Sequence, residues 1–424
     1  NFIYDITQTH DKKLWIGTEN GGISILSLQQ SLFSKPQEIV FENIEPGDDP
    51  YSLSNKTIRS IFEDSFNNIW VGTYGGGLNF ISHQAPYFSQ LCYTPGEKNS
   101  LTNKTAWGIA ADEKGRIWVG TDGGGINVFD KDILVESYNK TNSALTDDAI
   151  LSAFRDSKGN IWFGTFKGGV MVRKADTKKL RPFPISNISD IRCITEDVEG
   201  NIWFGGSTGI HIYKPSSGQI QNYTVDNSAL RGNLVRSICQ DENGNMWIGF
   251  FGEGVAVYKP TLELIKYFDK TNGLPSNMVN HIFKDYKNTI WVGTSDGLIQ
   301  YPASNIDHFK ILTRQDGLAD SHVRAITEDA RGNLWLSTTS GIAFYDQTKK
   351  QFFNYSHKNY TDLPIGSFMG GSVLVAPDKT ILFGSQNGLC RFNPNILPSN
   401  LQLPPTAITD FKIFNKKVLL SEEE

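Results

Sequence analysis

One short phrase recurs along this chain: an aromatic residue, then Val, Ile, Phe or Leu, then Gly or Ser. It stands at Trp15, Trp70, Trp118, Trp162, Trp203, Trp247, Trp291 and Trp335, and with the tryptophan replaced at Phe383. Successive copies lie 55, 48, 44, 41, 44, 44, 44 and 48 residues apart. A period of this size limits the chain to repeat architectures, in which each unit buries its apolar face against the next. An aspartate precedes seven of the tryptophans by six residues: Asp64, Asp112, Asp156, Asp197, Asp241, Asp285 and Asp329. Three residues further on stands Gly115, Gly159, Gly200, Gly244 or Gly332, or else Asn67 or Asn288. Gly and Asn tolerate a left-handed backbone, so the pattern D-x-x-G-N predicts a hairpin turn between two strands.

A whole unit can be drawn from Asn277 to Gly317. "MVNHIFKD", "TIWVGT", "LIQYP" and "HFKILT" read as four strands joined by "KN", "SDG" and a longer link. Four antiparallel strands in a period of 44 residues make a propeller blade. The glycine-rich "WVGTYGGG" and "WVGTDGGG" then end a second strand and open a turn. They lack the GK[ST] and following helix of a phosphate-binding loop. No sustained helical spacing supports an ankyrin, TPR or HEAT array, and β-solenoid repeats are shorter. The recurring tryptophans read as packing between blades.

Composition agrees. The 424 residues suit a large repeat domain or two to three domains, and 12% aromatics with 40 glycines suit short strands and tight turns. A net charge of −5 gives no basic surface for nucleic acid. Cys92, Cys193, Cys239 and Cys390 have no metal-ligand spacing and do not fix the compartment. No stretch of 18 apolar residues occurs. The chain opens in mid-pattern and reads as an internal fragment of something longer.

Nine signatures exceed the four to eight blades of ordinary rings. The expected fold class is all-β: a seven-bladed β-propeller of four-stranded antiparallel blades over residues 85–402, carrying Trp118 through Phe383. Two blades from a preceding propeller occupy 1–84, and the first strand of a β-sandwich occupies 403–424. The last unit offers only "SVLVAP", "ILFGS" and "LCRFNP", so its outer strand must come from elsewhere; "PYFSQLCYT" (86–94) can supply it. A single ring of eight or nine blades is the alternative.

"SLSNKTIRSIFEDSFNNIWVGTYGGGLNFI", "VNHIFKDYKNTIWVGTSDGLIQY" and "VRAITEDARGNLWLSTTSGIAFYD" resemble two-component-regulator propeller repeats. "LPPTAITDFKIFNKKV" resembles the opening of the immunoglobulin-like domain that follows them. The chain thus resembles the periplasmic sensor region of Bacteroidetes hybrid two-component systems. The resemblance implies recognition of an oligosaccharide from polysaccharide breakdown and relay across the inner membrane to a histidine kinase. It also implies a homodimeric full-length receptor, held to the membrane by a helix outside this fragment. No nucleic acid, cofactor, metal or catalytic residue is expected of the fragment itself.

Strand alternation puts the start of each first strand and the turn after "WVGT" on one face of the ring, near its channel. Five residues ahead of the hairpin aspartates stand Arg59, Trp107, Leu151, Arg192, Arg236, Asn280 and Arg324, with Ser372 nearby in the last unit. Trp107, Arg192, Arg236, Asn280 and Arg324 are the candidate ligand residues, joined by His281, His322, Phe250, Phe251 and Asp296 from the same face. The structural alternative is that the arginines satisfy blade carbonyls and hairpin acids. As a ligand site, guanidinium groups suit carboxylate or sulfate and an indole suits a sugar face, which favours an acidic glycan.

Enzyme signatures are poor. "DENGN" (241–245) begins like a calcium loop, but Gly252 stands where a glutamate is required. Glu196–Asp197 and Glu328–Asp329 are strand neighbours pointing to opposite faces, so neither pair flanks one glycosidic bond. The rival readings are a protein-interaction propeller and a carbohydrate-active lyase or hydrolase.

Overall fold

Both oxygens of each hairpin aspartate are engaged. One accepts the indole Nε1–H of the tryptophan six residues on, at 2.8–3.1 Å in all seven copies. The other accepts backbone amides of its own turn, as Asp241 does from Asn243 at 2.9 Å and Asn245 at 2.8 Å. The residue three positions on is left-handed, with φ of 76° to 83° at the five glycines and 64° at Asn67 and Asn288. The Asp241–Asn245 stretch is therefore a hairpin whose carboxylate is committed to the turn amides and to Trp247.

The computed structural model describes residues 2–28, 39–47, 52–82, 87–302, 306–357, 363 and 366–397, with strand residues 412–413 and 416–417. The chain divides into two compact units, 1–86 and 87–424. In the first, a sheet of Ile3–Gln8, Lys13–Thr18, Ile23–Ser27 and Glu42–Ile44 packs on a sheet of Ile58–Glu63, Ile69–Thr73 and Gly77–Ile81. Trp15, Ile25, Ile58 and Val71 fill the space between them. The expected sandwich strand over 403–424 lies outside the described residues, apart from a short pairing of Lys412–Ile413 with Lys416–Lys417.

In the second unit seven four-stranded antiparallel sheets follow one another. We number them as blades 1 to 7 by their first strands: Ala106–Ala111, Ile150–Arg155, Cys193–Glu196, Val235–Gln240, Val279–Lys284, Val323–Glu328 and Phe368–Val375. First strands neighbour one another in order, and the last lies against the first, which closes the ring. The outer strand of blade 7 is Phe88–Leu91, from the start of the unit, paired with Gly388–Phe392. The two ends of the ring are thereby joined in one sheet.

The tryptophans fill the wedges between blades. Trp118, Trp162, Trp203, Trp247, Trp291 and Trp335 are at most 1% exposed. Each that makes a ring contact forward meets the next blade: Trp162 with Phe204 at 5.7 Å, Trp247 with Tyr301 at 4.9 Å, Trp335 with Phe392 at 4.9 Å. Phe383 does not hold the tryptophan position in blade 7, contrary to the spacing. The turn there closes between Ala376 and Thr380, and the residue two beyond it is Leu382, as Trp335 is two beyond Asn333. Leu382 faces blade 1 beside Ile109 and Phe129, whereas Phe383 faces back toward Trp335.

Polar struts cross the same wedges. The residue before the hairpin aspartate reaches back to the previous blade's turn: Glu196 accepts the Ser157 amide at 2.7 Å, Gln240 that of Val198 at 2.8 Å, and Glu328 that of Tyr286 at 3.1 Å. Opposite-facing strand neighbours thus divide the work, aspartate within its blade and glutamate between blades.

Two predictions follow from this packing. Phe88 is 1% exposed against Tyr355 and Phe392. Phe88→Ala should cost about 3–5 kcal/mol, the usual range for emptying a buried phenylalanine site, read by urea unfolding. His211, in the third strand of blade 3, is 1% exposed and neither ring nitrogen has a partner among the described residues. Burial lowers its pKa to about 4 from an ordinary 6.5. The folded state therefore binds fewer protons than the unfolded state in that window, so stability falls as pH drops from about 6.5 toward 4. His211→Met, matching Met171 at the same position of blade 2, should remove a pH-dependent loss on the order of 2–3 kcal/mol, measured by denaturation across that range.

Candidate functional site

The residue five ahead of each hairpin aspartate opens a first strand at the axial entrance, and the second-to-third-strand turns ring the same face. The loop before blade 3 brings Asp190, left-handed at φ 51°, against the turn of blade 2, its amide donating to the Phe166 carbonyl at 2.6 Å. From there Asp190 joins two arginines: Oδ1 lies 2.6 Å from Arg192 Nε and Oδ2 lies 3.6 Å from Arg236 Nη1. Arg192 covers the Trp107 ring at 4.7 Å, and Arg236 covers the Phe251 ring at 4.8 Å. Trp107, Arg192, Asp190, Arg236 and Phe251 therefore form one continuous cationic and aromatic ledge. Burial lowers the Arg236 pKa, as does the neighbouring Arg192, with Asp190 opposing both.

A second group belongs to blade 6. Arg324 opens its first strand, and burial lowers its pKa against the pull of Asp320. Burial also lowers His322, helped by Arg324 and opposed by Asp320 and Asp296. Asp320 is raised by burial, but the Thr339 hydroxyl and the His322 amide, at 3.0 Å, outweigh this and hold it below the ordinary value. Asp296 is exposed in the blade 5 turn.

Trp107 Nε1, Arg324 Nε and His322 Nε2 are buried at this face with no hydrogen-bond partner among the described residues, and Arg236 Nη1 is buried with only the 3.6 Å ion pair to Asp190. The entrance leads into an axial cavity of about 980 Å³, lined by the first strands of blades 1 to 5 and by Gly370–Val373.

The other candidates have structural work. Asn280 donates to the Val323 carbonyl at 2.7 Å, and His281 Nδ1 accepts the Ile326 amide at 3.1 Å, as Ser237 accepts that of Ile282 one blade earlier. Burial pushes His281 down to about 4. Phe250 is fully buried in the wedge between blades 3 and 4. Arg59, between Tyr4 at 4.2 Å and Tyr74 at 5.0 Å, belongs to the other unit. Sequence reasoning missed Asp190, whose signal was an acid two residues ahead of an expected site arginine. It named Ser372 but missed Met369–Gly371, signalled by paired glycines inside a strand.

A profile described as two component regulator propeller matches residues 1–20, 52–75, 100–123, 144–167, 229–252, 273–296 and 317–340. The chain is 39% identical to the extracellular domain of a hybrid two-component system from B. thetaiotaomicron, with a TM-score of 0.83. That match covers all of this chain and 56% of the other, so the chain spans little more than half of its relative. The extracellular domain of a one-component system from the same organism matches at 21% identity and TM-score 0.62, over 98% of this chain and 56% of that one. Virginiamycin B lyase from Staphylococcus aureus matches at 16% and 0.56, over 72% of this chain and 98% of that one. These last two share the fold alone. No curated protein matches. Repeats and fold define a β-propeller of the kind found outside the cytoplasm in bacterial signalling systems. The chain carries two-component-regulator propeller repeats.

The ledge yields its own test. Asp190→Ala leaves two half-buried guanidiniums facing each other without their shared counter-charge. It should cost about 1–3 kcal/mol in urea unfolding, and adding Arg236→Met should return part of that loss.

Proposed function

We propose that this chain is the ligand-binding part of an extracytoplasmic sensor, taking an oligosaccharide that bears an acidic group at the axial entrance. Binding is passed to a histidine kinase module elsewhere in the full-length protein. The observation that carries this reading is a set of buried donors at the openings of first strands: Trp107 Nε1 and Arg324 Nε have no hydrogen-bond partner among the described residues, and Arg236 Nη1 has only the 3.6 Å ion pair with Asp190. Buried polar groups without partners are costly and mark sites completed by something else. Guanidiniums supply paired donors for carboxylate or sulfate, while the flanking rings supply apolar surface for a pyranose. The similarity to an extracellular domain of a hybrid two-component system supports the signalling setting.

Binding is favoured over catalysis by the state of the acids. Asp320, held below its ordinary value, is no general acid near neutral pH, and Asp190 is shared by two arginines. The test is calorimetry with trigalacturonate, a sulfated galactose trisaccharide and neutral galactotriose. An acidic member should bind, more weakly as salt rises, and the Arg192→Ala, Arg236→Ala, Arg324→Ala triple variant should lose about 100-fold in affinity. Unchanged affinity in the triple variant, or product formation from any of the three sugars, overturns the reading.

A further inference from the structure

The first strand of blade 7 departs from its six counterparts. The irregularities in blades 2, 4, 5 and 6 skip one first-strand residue and that in blade 1 skips two, whereas blade 7 pairs Phe368 with Ser385 and next Val373 with Phe383, skipping four. Met369, Gly370, Gly371 and Ser372 thus have no partner in their own ladder. Gly371 sits at φ 70°, a region that suits glycine. The displaced segment crosses the channel, reaching the first strands of blades 4 and 5.

Its neighbours are the entrance residues. Ser372 donates to the Trp107 carbonyl. A Cβ at Gly370 would stand 3.8 Å from the Asn280 carbonyl and 4.0 Å from that of Arg324, and one at Gly371 would stand 3.7 Å from the His281 ring. Gly370–Val373 line the same cavity as Trp107, Arg192 and Arg236. Met369, Gly370 and Gly371 are half-exposed. The entrance therefore has two unlike sides: charged and aromatic side chains from blades 1, 3 and 4, and bare backbone from blade 7.

We propose that the Met369–Ser372 bulge is a ligand-contacting element of this entrance, its backbone groups meeting the uncharged hydroxyls of the sugar whose acidic group lies on Arg192 and Arg236. This rests on the reading of the entrance as an acidic-oligosaccharide site. Peptide groups outside a ladder are paired donors and acceptors, the complement of a diol. Two glycines in succession keep that surface free of side chains, so a ring can approach the main chain. Charge selection belongs to the arginines and hydroxyl recognition to the bulge.

The two halves have separate signatures in calorimetry with the same three sugars. Gly370→Leu puts a bulky side chain on the bare-backbone side of the entrance, beside the Asn280 and Arg324 carbonyls, without removing a charge. It should lower the affinity for the acidic trisaccharide at least tenfold while keeping the slope of affinity against salt, because the ion contacts remain. Gly370→Ala, whose methyl meets only ordinary contacts, should retain affinity within a few-fold, and thermal unfolding of both variants reports the integrity of the ring. Arg192→Ala with Arg236→Ala should instead flatten the salt slope. A folded Gly370→Leu protein with wild-type affinity, alongside loss in the arginine variant, overturns the role of the bulge and leaves the site standing. If no sugar binds the wild type, or the arginine variant binds unchanged, the site itself falls and the bulge with it.

Discussion

One carboxylate-to-indole hydrogen bond, repeated in six blades of the ring and once in the first unit, sets the geometry from which everything else follows. The aspartate closes its turn with one oxygen and orients the tryptophan with the other, so turn shape and wedge packing are fixed by a single side chain. For Asp64, the Trp70 bond and the turn amides bring the carboxyl down to about 2, which keeps this acceptor ionised across any physiological pH. Six-residue spacing is then a geometric requirement: it is the distance along a hairpin at which the indole returns to the turn. Blade 7, which lacks the pair, uses Ala376 and Leu382 in their places and compensates by borrowing Phe88–Leu91.

A ring built in this way fixes the backbone at the axis but leaves the first positions of the inner strands free to differ. Asn280 and His281 spend their polar atoms on the next blade, as Ser237 does. Arg192 and Arg236 do not; they turn to Asp190 and to the rings of Trp107 and Phe251, while Arg324 Nε stays without a hydrogen-bond partner among the described residues. The same register thus serves either cohesion or recognition, and the choice lies in side-chain length. In this register the short amide of Asn280 reaches the Val323 carbonyl of the neighbouring strand, whereas the guanidiniums of Arg192 and Arg236 lie over the rings of Trp107 and Phe251.

Much of the architecture was legible before any coordinates. The strands, hairpins and all-β class followed from period and turn chemistry, because both are local. Reading went astray where local identity and global register part company. "ILFGS" offers an aromatic one place beyond the true wedge position, and only the turn's hydrogen bonds show that Leu382 is the counterpart of tryptophan. In the candidate site, the arginines were visible as a register. That Phe250 points into the wedge and Phe251 under Arg236 depends on strand pleat at the end of a blade.

By itself the sequence determined the repeating unit: which residues turn, which fill wedges, and how many sheets the chain can make. Those properties depend on neighbours within a few residues and on a pattern copied many times. Tertiary structure decided what no copy contains, namely how blade 7 is completed, where its bulge crosses the axis, and which arginines share Asp190. Apart from the local Asp190–Arg192 pair, these contacts join segments dozens to hundreds of residues apart, brought together by the ring. The candidate site consists of such contacts, so its composition was readable from the chain and its arrangement was not.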